Sequence, residues 1–388
     1  MADTAPGTRG VAGGHVVLAP DKFKGSLSAG EVAALVAAGI HRIAADVDVV
    51  QLPIADGGEG TLEAALAAGF RRVPATVSGP TGEPLPSALA VRDTTAVVEM
   101  AAASGLAMLP GGVPDPLRAT SLGTGELIRL ALDEGCTEIV LGVGGSACTD
   151  GGAGLLVGLG ARLLDAGGTP IDHGGAALAQ LGRIELAGLD PRLEGARIVL
   201  AGDVDNPLLG ARGAAAVYGP QKGATPADVE RLEAGLRGLV AVLAAALGEP
   251  ARAAADEAGA GAAGGVGYAA LAVLSARRRP GIDVVLEFTG VRAALDGARL
   301  VVTGEGSLDL QTLHGKAPAG VAAAAGRAGV PAVAVAGRCL LDRDQLAGMG
   351  LLAAYALTDL ESDERRCHDE AGPLLERLGA RIAAERLS

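Results

Sequence analysis

Short apolar segments rich in β-branched residues recur along the chain, and each is followed by a glycine-rich polar loop and a helix-forming stretch. The first is His15–Pro20, after which Ser28 and Glu31 form a capping-box pattern that predicts a helix N-terminus. Asp48–Pro53 is the second predicted strand, and the polar loop 55–60 follows it. This order is typical of a parallel β-sheet with helical crossovers, in which ligands bind at the carboxyl ends of the strands.

The same reasoning predicts further elements. The predicted strands are Ala96–Met100, Glu138–Val143, Arg197–Ala201, Arg299–Val302 and Ala332–Ala336. The predicted helices cover residues 61–68, 123–134 and 320–326, and a further one begins at Thr225, where a cap residue precedes proline. Ser78–Pro86 is rich in turn residues.

The length of 388 residues favours two domains over one core. The pattern changes near Val73, and strands of the first type return at Arg299. We therefore expect residues 15–75 and 290–388 to form one α/β domain and residues 76–289 to form an inserted α/β domain. Residues 1–14 lack an apolar core, so they predict a disordered tail and not a signal peptide.

Composition limits the chemistry and the partners. There are 61 glycines and no tryptophan, so the cores must be built from small aliphatic residues, which suits helices on buried parallel strands. A net charge of −13 argues against a nucleic-acid partner, which requires a basic surface. This net charge is compatible with an anionic small-molecule ligand, because a few cationic side chains and helix N-termini are enough to bind an anion locally.

Cysteine spacing and hydropathy indicate the compartment. None of the four cysteines forms a CxxC pair, so neither a zinc site nor a redox pair is indicated, and a reducing cytoplasm is expected. The longest apolar stretch, Gly238–Gly248, is too short to span a bilayer, so no membrane partner is expected. Oligomeric state is left open, a homodimer included.

The loop Asp21–Ser26 carries cations between a predicted strand and a predicted helix. Lys24 and Ser26, with Lys22, are suited to bind a phosphate or carboxylate near the helix N-terminus. The alternative is a solvated connection between the two elements.

The loop 55–61 presents Asp56 and Glu59 among three glycines. Carboxylate oxygens of this kind suit Mg²⁺, which prefers oxygen ligands and keeps several waters. Helix capping by Asp56 and dipole compensation by Glu59 are the structural alternative.

The run Gly142–Gly154 is the segment most typical of a phosphate site. A predicted strand leads into glycines whose N–H groups suit an anion, with Gly144, Gly145, Ser146 and Asp150 as candidate binding residues. The run lacks the lysine of a Walker A motif and does not match the dinucleotide GxGxxG signature.

Asp203, Asp205 and Asn206 follow another predicted strand. A carboxylate there is placed to accept a hydroxyl proton or to bind Mg²⁺, whereas a turn before Pro207 is the structural alternative. Gln221 and Lys222 add polar groups on a nearby turn.

The run Thr303–Lys316 again follows a predicted strand. Its candidate residues are Gly304, Glu305, Asp309, Gln311 and Lys316. Taken together, five such loops supply lysines, carboxylates and hydroxyls. This set favours phosphoryl transfer, in which positioning and charge neutralisation provide most of the catalysis.

Six runs, in order, resemble the type I glycerate kinase family. They are APDKFKGSLSA (19–29), PIADGGEGT (53–61), TSLGTGELI (120–128), GGSACTDGGAG (144–154), DVDNPLLGARGAAAVYGPQKGA (203–224) and TGEGSLDLQT followed two residues later by GKAP (303–318). The resemblance extends from about His15 to Gly337. Lys22 stands where the family generally has serine, which adds a positive charge beside the expected site.

The resemblance implies a bacterial glycerate 2-kinase that uses ATP and Mg²⁺ to phosphorylate the 2-hydroxyl of D-glycerate. It also implies a Rossmann-like, flavodoxin-like domain made from both chain ends, plus an inserted α/β domain. Within this frame Asp203 is our candidate base, Asp205 is its alternative, and Lys24 with the 144–146 backbone would neutralise phosphate charge. The candidates for Mg²⁺ or substrate hydroxyls are Asp56, Glu59, Glu305 and Asp309.

Two other interpretations remain open at this point. One keeps the kinase and changes the substrate to another small hydroxy acid. The other is a non-catalytic protein that binds a nucleotide or metabolite; the retained Lys24, Asp203 and Asp309 argue against it, because binding alone does not require a base and a charge clamp together.

Overall fold

A computed structural model describes residues 14–314 and 316–387. Apart from Gly14, the predicted tail lies outside the described residues. In chain order the strands are β1 His15–Pro20, β2 Val49–Gln51, β3 Arg71–Ser78, β4 Pro84–Arg92, β5 Thr95–Glu99, β6 Glu138–Gly142, β7 Arg162–Leu164, β8 Arg183–Glu185, β9 Arg197–Ala201, β10 Arg277–Arg279, β11 Ala298–Leu308, β12 Ala332–Cys339 and β13 Ala354–Ala356.

The α-helices are α1 Ala29–Ile43, α2 Thr61–Ala67, α3 Ala101–Ser104, α4 Leu122–Asp133, α5 Ala153–Gly158, α6 Ala214–Tyr218, α7 Pro226–Leu247, α8 Glu249–Ala253, α9 Val266–Ala272, α10 Gly281–Phe288, α11 Val291–Ala294, α12 Ala317–Ala328, α13 Arg343–Gly348, α14 Glu364–Asp369 and α15 Ala371–Arg386. The capping box predicted at Ser28 is present. The helix start predicted at Thr225 is present too and also forms a capping box; in both, the reciprocal bonds join the cap residue to the third helical residue. In the described residues, no helix combines the length and apolar character needed to cross a bilayer.

The chain folds into two compact units. The first unit comprises the described residues up to Ala55 and those from Leu286 onward; the second comprises Asp56–Val285. The chain is of the mixed α/β class with parallel sheets, as the alternation of strands and helices predicts.

The first unit contains a five-stranded sheet in the order β13–β12–β11–β1–β2, and every neighbouring pair is parallel. From β1 the chain moves outward to β2, and from β11 it moves outward on the other side, so the strand order reverses between β1 and β11. In open sheets of this kind that reversal marks the place where ligands bind, beyond the carboxyl ends of the strands. Helices α1 and α15 share one hydrophobic core with a face of this sheet.

Two glycines allow α1 and α15 to pack closely. A Cβ on Gly39 would lie 2.1 Å from the carbonyl oxygen of Glu376, and one on Gly379 would lie 2.4 Å from that of Val36. The backbones of the two helices are therefore in direct contact at these two glycines. This close approach holds the C-terminal helix against the first one.

Gly39→Ala is expected to destabilise the protein, because its methyl group would meet backbone that cannot move aside. We expect a loss of about 2–3 kcal/mol in the free energy of unfolding. Gly326→Ala in α12 is the matched control, since nothing lies within 4 Å of its added Cβ and helix propensity should add about 0.5–1 kcal/mol. Urea denaturation of both variants measures the difference, and equal effects would contradict the packing argument.

The second unit contains a six-stranded mixed sheet in the order β10–β9–β6–β5–β4–β3. The pairs from β5 to β10 are parallel, whereas β3, β4 and β5 form an antiparallel meander. A separate hairpin joins β7 and β8. The carboxyl ends of β5, β6 and β9 therefore lie side by side at one edge of this sheet.

The first boundary between the units falls earlier than the sequence predicts. We expected residues up to 75 to belong with the N-terminal strands, but α2 packs on β4 and β5 of the second sheet. The reason is Glu99, a buried residue at the end of β5, whose carboxylate accepts hydrogen bonds from the N–H groups of Gly60 (3.1 Å) and Leu62 (2.8 Å). These bonds cap α2 from within the second unit.

Candidate functional site

In the second unit, the loop 56–60 lies directly on the carboxyl ends of the parallel strands. A Cβ on Gly144 would lie 2.5 Å from the Cα of Gly58, and one on Gly142 would lie 2.7 Å from the carbonyl oxygen of Gly57. Gly57 itself has φ of +90°. Only glycine permits such close backbone contacts. The glycines of the loop 56–60 and of the segment 142–145 therefore allow these two loops to lie against each other.

Asp203 lies two residues beyond the end of β9, in the same region. One carboxylate oxygen accepts a hydrogen bond from the N–H of Gly281, at 2.9 Å. The residue as a whole is exposed, but its carboxyl group is partly shielded from water. This desolvation, together with the nearby charges of Asp56 and Asp283, outweighs the Gly281 bond and the Arg278 charge and raises the pKa of Asp203 to about 6.

Asp56 and Arg278 complete the surroundings of Asp203. The carboxylate of Asp56 accepts a hydrogen bond from the N–H of Gly58 at 3.1 Å, within the loop; it does not cap α2, whose first N–H groups bind Glu99 instead. The Arg278 guanidinium donates to the backbone carbonyl of Asp203 at 3.3 Å. Its Nε is buried and has no hydrogen-bond partner among the described residues.

Arg278 was not among the residues singled out from the sequence. It lies in β10, within three consecutive arginines that come just before Pro280. In a chain of net charge −13, three adjacent arginines are a signal that could have identified it. A motif search does not detect it, because nothing local in the sequence shows that β10 pairs with β9 beside Asp203.

The glycine-rich turn after β6 is held from below by a buried lysine. Gly145 has φ of +74°, and Ser146 accepts a hydrogen bond from Lys222 Nζ at 2.9 Å. The Lys222 ammonium also donates to the carbonyl oxygen of Cys148. Lys222 is 2 % exposed, and burial lowers its pKa. Lys222, which was predicted to bind a ligand, therefore supports the turn from the protein interior. Gly144 is partly exposed and Gly145 is exposed, so their backbone faces the surface.

Asp150 is completely buried, and donors from two segments surround its carboxylate. It accepts hydrogen bonds from the backbone N–H groups of Ser121 (2.8 Å), Gly152 (3.0 Å) and Gly154 (3.1 Å) and from the Ser121 hydroxyl (2.8 Å). With its oxygens used in this way, Asp150 joins the N-termini of α4 and α5. We therefore regard it as an architectural residue and remove it from the ligand-binding set.

The remaining candidates of the second unit lie at or near the surface. Asn206 is held in place, since its amide donates to the carbonyl of Arg212 (2.7 Å) and its oxygen accepts from the Tyr218 hydroxyl (2.6 Å). Asp205 is exposed, with Arg212 at 3.5 Å. The side chains of Glu59 and Gln221 are exposed as well.

In the first unit, a second polar cluster spans the last residues of β11 and the turn that follows it. Glu305 is 9 % exposed; one oxygen accepts from the Thr312 hydroxyl at 2.5 Å and the other lies 3.5 Å from Lys316 Nζ. Burial raises the pKa of Glu305, opposed by Thr312 and Lys316 and assisted by the charge of Asp309. Asp309 accepts from the N–H of Gln311 at 2.8 Å, which closes the turn.

Gly304 differs from its neighbours because it lies inside the sheet. It pairs with Pro20 and Val335 on the two adjacent strands, and a Cβ there would lie 2.3 Å from the Val335 carbonyl oxygen. Its carbonyl oxygen accepts from the N–H of Asp21 at 2.8 Å. Gly304 thus fixes the geometry of the strand end and offers no group to a ligand.

The loop Asp21–Ser26 of the first unit is fastened to α14. His368 Nε2 lies 2.9 Å from the carbonyl oxygen of Gly25, and the Ser26 hydroxyl donates to the His368 carbonyl at 3.2 Å. Lys24 is exposed, and its ammonium has no partner among the described residues. Lys22 Nζ lies 3.8 Å from the carboxylate of Asp21. The charge of Lys24 is therefore available to an anion, and its role in binding one stays a prediction.

We tested whether these donors suit Mg²⁺. No cluster of three or more histidine, cysteine or acidic side chains with metal-site geometry occurs within residues 14–314 and 316–387. The acidic groups form pairs instead: the charge of Asp56 contributes to the raised pKa of Asp203, and the charge of Asp309 contributes to the raised pKa of Glu305. Two carboxylates with water and phosphate oxygens are the usual environment of Mg²⁺ in phosphoryl-transfer enzymes, so the donor set fits this ion.

Comparisons with known proteins extend these observations to the whole chain. A model described as the glycerate kinase family matches residues 16–386. A protein named glycerate kinase from Bacillus subtilis (strain 168) is 43 % identical over 372 residues, covering 95 % of this chain and 97 % of that protein. A glycerate 2-kinase from Escherichia coli (strain K12) is 44 % identical over 346 residues, covering 88 % and 90 %.

A solved structure is similar as well. The crystal structure of a protein assigned as glycerate kinase 2 from Salmonella typhimurium LT2 superposes with a TM-score of 0.82 at 44 % sequence identity, covering 96 % of this chain and 97 % of that one.

Proposed function

The chain belongs to the glycerate kinase family, and from that premise we propose that it transfers the γ-phosphoryl group of ATP to the 2-hydroxyl of D-glycerate. The products are then 2-phospho-D-glycerate and ADP. The observation that carries the proposal is the family match over residues 16–386. The choice of the 2-hydroxyl draws on the similarity to the glycerate 2-kinase of Escherichia coli.

In this proposal Asp203 is the base. The substrate hydroxyl oxygen attacks the γ-phosphorus, its proton passes to the Asp203 carboxylate, and the bond from the γ-phosphorus to the bridging oxygen breaks, which releases ADP. With a pKa of about 6, Asp203 is ionised at neutral pH and is still a stronger base than an ordinary aspartate. The Gly281 N–H holds one of its oxygens, and the other is left to receive the proton.

The charge of the transferred group requires cations and N–H donors. Lys24 has an ammonium available to an anion, and the Gly144–Gly145 backbone lies at the surface side of its turn. Phosphoryl transfer relies chiefly on such positioning and charge neutralisation. The carboxylates suited to hold Mg²⁺ are Asp56 in the second unit and Glu305 with Asp309 in the first, and the ion would supply further neutralisation of phosphate charge.

Incubation of the purified protein with ATP, MgCl₂ and D-glycerate tests the proposal, with phosphorus NMR to identify the product. We expect the resonance of 2-phosphoglycerate; a 3-phosphoglycerate resonance would contradict the choice of hydroxyl. A panel of other small hydroxy acids, assayed by coupled ADP release, tests the alternative substrates. ATP binding without release of ADP on any acid would favour the non-catalytic alternative.

A cytoplasmic location is part of the proposal. All four cysteines are unpaired, and three of them are buried, which is consistent with a reducing compartment. Fractionation of the producing cells, with detection of the protein by antibody, tests the location.

A further inference from the structure

A pocket of the first unit lies at the carboxyl-terminal ends of β11 and β12 and beside the segment that follows β13. It encloses about 520 Å³, including space open to solvent. Its apolar wall is formed by Phe23, Leu357, Cys367 and Ala371. All four are buried, so they form a continuation of the core that faces an opening. None of the residues predicted from the sequence to bind a ligand lies in this wall.

Glycines at two neighbouring strands make part of the pocket flat. Gly306 of β11 and Gly337 of β12 both line it. A Cβ on Gly337 would lie 2.5 Å from the carbonyl oxygen of Gly306, so a side chain is excluded there. A surface of bare backbone between apolar side chains suits a planar ring system.

The rim of the pocket is polar and carries charges of both signs, because the Glu364 carboxylate, which pairs with Arg338, lines it together with the cations. Lys24 and Ser26 line one part of it, and Arg338 and Thr358 line another. Arg338 is held by Ser307 (3.1 Å) and Glu364 (3.4 Å), whereas the Lys24 ammonium has no partner in the described part of the chain. An occupant would therefore meet apolar surface inside and an available cation at the edge.

We propose that this pocket receives the nucleoside portion of a nucleoside triphosphate, with Lys24 facing the phosphates. The inference rests on the proposed function, since that function requires such a substrate. Glycerate is a poor match, because each of its three carbons bears oxygen and it has no apolar surface to bury. A purine ring attached to charged phosphates matches an apolar interior with an available cation at its rim.

The position of the pocket supports the same ligand class. In open parallel sheets, nucleotides bind beyond the carboxyl ends of the strands at the reversal of strand order, here between β1 and β11. Lys24 follows β1 and Gly306 belongs to β11, so both sides of the reversal contribute to the lining.

Two variants test the two halves of the pocket separately. Thr358 is half-buried, so Thr358→Phe would fill the interior without replacing a core residue. Lys24→Ala removes the charge at the rim. We expect Thr358→Phe to raise the Kd values of ATP and adenosine at least about 10-fold and to leave that of inorganic tripolyphosphate unchanged. Lys24→Ala should raise the Kd values of ATP and tripolyphosphate by a similar factor and should raise that of adenosine by much less.

Titration calorimetry on the full-length protein measures all three ligands without requiring turnover. Thr169→Phe, at an exposed threonine of the second unit, is the control for adding a phenyl ring and should leave all three Kd values unchanged. If Thr358→Phe binds ATP like the unsubstituted protein, the pocket does not hold the nucleoside and the inference is overturned. The proposed function would fail differently, through absence of phosphoglycerate while ATP binding and its response to Thr358→Phe persist.

Discussion

Asp203→Asn should lower kcat for the phosphorylation of D-glycerate by about 10³-fold, within the range expected for loss of a general base. The amide keeps the size of the side chain and can still accept the hydrogen bond from Gly281, so the loop should stay in place. It cannot take up the hydroxyl proton. The Kd of ATP should change less than about 3-fold, because the proposal places the nucleoside on the first unit.

The pH dependence of the unsubstituted enzyme provides a second readout. A base works in its ionised form, so kcat should rise with pH through about 6, the pKa of Asp203, and level off above it. In Asp203→Asn that limb should disappear from the remaining activity. A limb that persists in the variant would assign the titration to another group.

Stability distinguishes loss of a base from loss of structure. Asp203 has its pKa raised in the folded protein, so the stability it contributes is fully present below pH 4 and is lost as pH rises through about 6. At pH 7 Asp203→Asn should therefore be at least as stable as the unsubstituted protein in urea denaturation.

Asp205→Asn tests the alternative base. A greater loss of turnover in that variant than in Asp203→Asn would move the role to Asp205.

Asp150→Ala is expected to have the largest effect on stability. It removes the acceptor of several buried N–H and hydroxyl donors, and the methyl group satisfies none of them. We expect a loss of about 4 kcal/mol in the free energy of unfolding, given the cost of leaving such donors buried and unpaired. Because Asp150 fixes the segment after Gly145, turnover should fall with the fold.

Two comparisons make this prediction specific. Asp172→Ala replaces an exposed aspartate of the same unit and should change stability by less than about 0.5 kcal/mol. Asp150→Asn keeps one oxygen acceptor, so its loss in the free energy of unfolding should lie between the losses of the two alanine variants. If Asp150→Ala folds with near-normal stability and loses only ligand affinity, the original prediction of a binding role for Asp150 is restored.

Local hydrogen bonding explains which elements were predictable. The strand Arg197–Ala201 was predicted with the bounds it has in the structure, and the capping boxes at Ser28 and Thr225 are present. Each depends on interactions within a few residues, or on a run of apolar side chains that must be buried. The strand predicted at Asp48–Pro53 is shortened to Val49–Gln51, because few residues there pair with β1.

The hairpin of β3 and β4 was missed for a physical reason. The segment Ser78–Pro86 was predicted to be rich in turns, and Pro84 and Pro86 within it cannot donate to a strand ladder. In the structure β3 is an edge strand, and β4 pairs with β5 only through residues 90–92. The prolines therefore lie where one side of the backbone needs no donor, which only the pairing of the strands reveals.

Periodicity, capping and motifs close together in the chain were enough to predict the class of fold, the series of polar loops at strand ends and the family. They could not show which polar residues face inward, because that depends on how distant segments pack. Asp150 and Lys222 have the same residue types as ligand-binding groups, but they are buried among donors and acceptors from distant segments. Arg278 comes beside Asp203 only because β10 pairs with β9, and Glu99 attaches α2 to the second unit through bonds that span 37 and 39 residues. Such interactions follow from the packing of the whole chain, which no local pattern encodes.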